Sequence, residues 1–77
     1  MEKYYVLRKN EYYLSDIYYI EDFEGKTKLS SFEVDTEFRK LYSDYELAEQ
    51  DRRLIYIETG LNFEIEKFRK EEIQNED

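Results

Sequence analysis

Ser43 to Gly60 reads SDYELAEQDRRLIYIETG, and whether this stretch is helix or strand decides the fold. Ser43 followed three residues later by Glu46 has the pattern of a capping box, so a helix is expected to open there. It would run from Asp44 to Thr59, with Gly60 as the residue after its end. Tyr45, Ala48, Arg52, Ile55 and Tyr56 recur at helical spacing and would share one face. Asp44 and Glu46 sit where the helix dipole favours acids. A rival reading makes Arg53 to Ile57 a strand, because Leu54-Ile55-Tyr56-Ile57 is rich in β-forming residues. The helix is preferred.

Outward from this segment the pattern is extended. Leu61, Phe63 and Ile65 alternate with Asn62, Glu64 and Glu66, a strand that Phe68 would lengthen. Upstream, Lys3 to Leu7 and Tyr12 to Ile20 read as paired strands, with Asn10 accepting a positive φ in the turn between them. Three tyrosine doublets, Tyr4-Tyr5, Tyr12-Tyr13 and Tyr18-Tyr19, would each put one ring on either face. Glu21 to Lys28 contains Gly25 and reads as a turn; Leu29 to Val34 alternates as a third strand. Thr36 to Tyr42 is ambiguous, with one helical turn as an option. The expected fold is α+β: a small, mainly antiparallel sheet in the order β-β-β-α-β, with one helix packed across it. Residues 1–70 would form one domain and 71–77 a frayed acidic tail.

A chain of 77 residues buries only about 60–65% of its unfolded surface, so its stability margin is thin. It has no Cys and no His, which leaves nine Tyr and five Phe as the bulk of any core. The opening MEKYYVLRKN has no apolar run of signal-peptide length, and no stretch approaches the ~18 residues of a membrane span. A cytoplasmic protein is expected. The net charge of −8 argues against direct binding to nucleic acid or to an anionic membrane. The acids are clustered. Glu11, Asp16, Glu21, Asp22 and Glu24 follow one another with no base between them, as do Asp44, Glu46, Glu49 and Asp51.

Catalysis is not indicated. Without His or Cys there is no imidazole or thiolate to build a nucleophile and base pair around. Among 20 acids no carboxylate pair is singled out, and no Gly-rich loop exists to cradle a phosphate. Glu21, Asp22 and Glu24 beside Gly25 lack the spacing of a calcium loop and read as a solvated turn, so no metal or cofactor is expected. What remains is interaction. Asp16, Tyr18, Glu21, Asp22 and Glu24 on the hairpin, with Asp44, Asp51 and Glu58 at seven-residue steps on the helix, are the candidate partner-binding residues. The helical step of about 10 Å exceeds the phosphate spacing along one strand, so a looser acidic face is expected, not a charge-for-charge copy of DNA.

Leu41 to Lys67 (LYSDYELAEQDRRLIYIETGLNFEIEK), preceded by the Tyr-rich KYYVLRKNEYYL, resembles small acidic proteins encoded by phages and prophages of low-GC Gram-positive bacteria. The matching places are Tyr42, Ser43, Ala48, Gly60 and Phe63 to Ile65. The resemblance implies no catalytic residues. It implies an inhibitor of host machinery, an anti-CRISPR protein foremost, with a basic partner such as a Cas effector or another nucleic-acid enzyme. The alternative is a structural homodimer joined through the edge strands Lys3 to Leu7 or Phe63 to Phe68.

Overall fold

The computed structural model describes residues 2–70. Its elements are β1 (Glu2–Lys9), β2 (Tyr12–Glu21), β3 (Thr27–Asp35), α1 (Tyr45–Thr59) and β4 (Glu64–Lys70). The strands form one antiparallel sheet in the order β3-β2-β1-β4, and α1 packs on one face. The fold is α+β, with the expected element order. The expected frayed tail, 71–77, lies outside the described residues.

Asn10 turns the first hairpin with φ 58, and Gly25 turns the second with φ 80. The tyrosine doublets divide between the faces. Tyr5 packs under the helix, its ring 5.6 Å from and edge-on to Tyr45. Tyr13 lies on the opposite face, beneath the Arg39 guanidinium at 4.0 Å. An extra residue at Ser15 shifts the register between Leu14 and Asp16. That bulge places Leu14 and Ile17, three apart, on the same buried face.

The helix reading prevails over the strand, but its cap lies one residue later than the capping box implies. Asp44, in extended backbone, is the N-cap; its Oδ1 accepts from the Glu46 amide at 3.2 Å. Gly60, with φ 81, closes the other end, its amide donating to the Tyr56 carbonyl at 2.8 Å. On the outer surface Glu49 accepts two bonds from Arg52, at 2.8 and 2.6 Å, and one from Arg53 at 3.2 Å. The Arg52 bonds hold its carboxyl down at about 2. Arg52 also donates to Asn62 at 3.1 Å, tying the helix to the following loop.

The core joins Leu7, Leu14, Ile17, Tyr42, Ala48, Ile55 and Phe63, with Phe32 edge-on to Phe63 at 6.0 Å. Burying each large side chain stabilises the fold by roughly 1.5–3 kcal/mol. Val6 is fully buried too; between Tyr5 and Leu7 it points to the other face, the one on which Arg39 stacks on Tyr13 and Phe68.

The sheet is split. β1 and β2 pair directly at Arg8↔Tyr13 and Lys9↔Tyr12, beside their turn. Beyond that point Lys40 to Tyr42 enters between them. The Lys40 amide donates to the Leu14 carbonyl at 2.8 Å, and Tyr42 exchanges both backbone bonds with Tyr5, at 2.7 and 2.9 Å. The option of a helical turn over Thr36 to Tyr42 is therefore replaced by a bend at Thr36-Glu37 and an extended insertion. Asp35 makes the bend: its Oδ1 accepts from the Glu37 and Phe38 amides at 2.7 and 3.1 Å, which holds its carboxyl below the usual range. The sheet thus becomes two limbs, β1/β4 and β2/β3, joined at the Asn10 end. Lys3 to Leu7 is interior, not an edge; the edges are β3 and β4. The strand expected from Leu61 starts three residues later, where its pairing with β1 begins at Arg8↔Glu64.

Candidate binding surface

The β2/β3 limb runs on past the helix. Tyr18 to Glu21 and most of Thr27 to Ser31 are exposed, so this part buries little beyond its own pairing. From Asp16 to Asp35 the chain carries six acids against two bases. On the face away from the helix, the Tyr18 hydroxyl donates to Asp16 Oδ2 at 3.1 Å and lies 3.3 Å from Glu33 Oε2. The hydrogen bond to Asp16 and the two negative charges push the Tyr18 phenol up to about 12. Asp16 Oδ1 also accepts from the Ile17 amide at 2.9 Å, so this carboxylate is held in place from two sides.

At the tip, Asp22 organises the turn. Its Oδ1 accepts from the Glu24 and Lys26 amides at 2.9 and 2.8 Å, and its backbone bonds to Lys26 and Gly25. Lys28 stands 3.9 Å from its other oxygen, and Lys26 3.5 Å from Glu24, pairs too exposed to contribute much. Glu21 and Glu24 project into solvent. The five hairpin candidates therefore do share one limb, with Asp22 committed to the turn. Glu33, which completes the pair around Tyr18, was not singled out from the sequence; it faces Asp16 across the strands, a relation visible only once β2 and β3 are in register.

The helix candidates do not form a row. Asp44 is the cap, Glu58 is exposed, and Asp51 is 8% exposed and turned inward. Asp51 Oδ1 accepts from the Tyr19 hydroxyl and Oδ2 from the Tyr42 hydroxyl, both at 2.5 Å. One carboxylate so ties α1 to the long limb and to the inserted segment. Burial and the bond to Asp51 push both phenols well above the ordinary tyrosine range.

The other limb has the opposite charge. Over 3–8 and 64–69 there are four bases against two acids. Lys3, Tyr4, Tyr5, Lys67, Phe68 and Arg69 of β1 and β4 line a cavity of about 300 Å³. Among the described residues no three His, Cys, Asp or Glu side chains come together to hold a metal ion. No described helix is long and apolar enough to cross a membrane. No family model matches the chain, and no curated protein or solved structure matches it either.

Proposed function

We propose that this chain is a non-catalytic binding protein whose β2/β3 limb docks on a basic surface of a partner. In its specific form it is a phage-type inhibitor covering the basic DNA-binding groove of a host defence or nucleic-acid-processing protein, a Cas effector foremost. The observation that supports this is the segregation of charge onto an exposed limb on which the Asp16, Asp22 and Glu33 carboxylates are held by hydrogen bonds. Asp16 and Glu33 flank one tyrosine hydroxyl, and Glu21 and Glu24 flank an ordered turn. Fixed carboxylates lose little freedom on meeting Lys or Arg, and a field of one sign speeds encounter. Tyr18, half-exposed between them, adds a rigid amphipathic contact of the kind enriched at binding hot spots.

The test uses a purified Cas9-type effector, with and without its DNA. Affinity is expected to fall steeply as salt rises from about 50 to about 500 mM, as screening shortens to a few ångström. Replacing Asp16 and Glu33 together by Lys should weaken binding by about tenfold or more with the melting temperature kept, and DNA should compete. Absence of binding would remove the effector as the partner. Binding indifferent to salt and to both substitutions would remove the electrostatic mechanism altogether.

A further inference from the structure

Two features stand at opposite ends of the β2/β3 limb. The first is Phe23, which is 109% exposed at the tip of the limb. The turn that carries it is ordered by the Asp22 side chain and backbone, so the ring is held out in water by a fixed loop. The second lies at the opposite end. Tyr12, Phe32, Val34, Leu61 and Phe63 wall an apolar concavity of about 220 Å³, with Lys9 at its rim. Cavities of about 150 Å³ lined by apolar side chains take up benzene, so a phenyl ring fits here with space to spare. Lys9 makes no ion pair among the described residues.

Between knob and hole runs β3. It starts four residues after Phe23, carries Val34 of the concavity near its end, and lies at the edge of the sheet with one side unpaired. An unpaired edge is a template for another strand. Two copies laid antiparallel along β3 therefore bring the tip of each beside the concavity of the other, at both ends at once.

We propose that the concavity is occupied by a second copy of this chain. The two β3 edges run antiparallel about a two-fold axis near Ser31, and the Phe23 ring of each copy enters the apolar hole of its partner. Glu24, exposed beside Phe23, then meets Lys9, which has no ion pair among the described residues. This is a closed, isologous contact and not an open chain of copies. Two rings and the walls they cover bury about 600–1,000 Å². The strand edges supply the remainder of the ~1,200 Å² that specific pairs reach. Two molecules of charge −8 repel one another at low ionic strength, so this association tightens as salt rises. Docking on a basic partner would respond to salt in the opposite sense, which keeps the two ideas separable.

Sedimentation equilibrium of the full chain at about 300 mM salt tests the pairing. A mass of two chains is expected at concentrations of about 100 µM and above. Phe23→Ala should weaken dimerisation by at least about tenfold while leaving the melting temperature unchanged, since the ring contributes nothing to the monomer. Lys9→Glu should weaken it as well, and adding Glu24→Lys to the same chain should restore it. A monomer persisting to about 1 mM, or a dimer formed equally well by Phe23→Ala, overturns the proposal.

Discussion

Asp51 joins three parts of the molecule through one carboxylate, and its partners set what its loss would cost. Tyr42→Phe removes the donor to Oδ2 in a site closed to water, so a loss of about 1–3 kcal/mol in urea denaturation is expected. Tyr19→Phe should cost less, because the half-exposed Tyr19 position lets water replace the hydroxyl. The phenols also give a pH dependence of known sign. Tyr19 and Tyr42 are raised above the value of about 10 they have when unfolded. The unfolded chain then ionises first. The stabilisation is complete below about pH 10 and is lost as pH rises beyond it. Chemical denaturation between neutral and strongly alkaline pH should show this fall, reduced in Tyr42→Phe. The inward turn of Asp51 had a trace in the sequence, since Ala48, Asp51 and Ile55 are spaced as one buried stripe. Its donors lie 32 and 9 residues away, beyond what helical periodicity can reveal, so the seven-residue series with Asp44 and Glu58 suggested a surface row instead.

Among the elements, α1 is where local chemistry speaks most clearly. Asp44→Ala should lower stability by about 1 kcal/mol, whereas Ser43→Ala should change it little, because Asp44 and not Ser43 accepts the first free amide. Gly60→Ala should cost about 1 kcal/mol: the backbone there has φ 81, although an added Cβ would meet open space. Thermal melts of the three variants separate these cases. The competing strand over Arg53 to Ile57 fails because caps at both ends satisfy the helix's free backbone groups, which a run of β-forming side chains does not outweigh. The alternation from Leu61 correctly marks Phe63 and Ile65 as core-facing. It cannot mark where pairing begins, since that depends on the partner strand, β1. In the same way the Tyr-rich composition identified Lys3 to Leu7 as a strand but not as an interior one.

Taken whole, the molecule is elongated, 54 × 24 × 16 Å, with a radius of gyration of 14.2 Å against about 11–12 Å for a compact chain of this length. The order of elements was legible because each has its own periodicity or turn residue. The split was not, because it rests on Tyr42 meeting Tyr5 across 37 positions of sequence. Amide exchange should show the resulting unevenness: slow at Leu7, Leu14 and Ile17, and fast from Ile20 to Lys28, where pairing is all that shields the backbone. The split also constrains the order in which the chain can assemble. Arg39 lies on one face of the sheet and Tyr45 on the other, so the connection passes through the gap between β1 and β2. The gap is shut at the Asn10 turn and open at the far end, so the connection slides in sideways and no end of the chain has to be threaded. A first hairpin that zipped along its full length before the connection arrived would have to open again to admit Tyr42. In pulse-labelled refolding the amides of Tyr5 and Tyr42 should accordingly become protected together, and later than those joining β2 to β3.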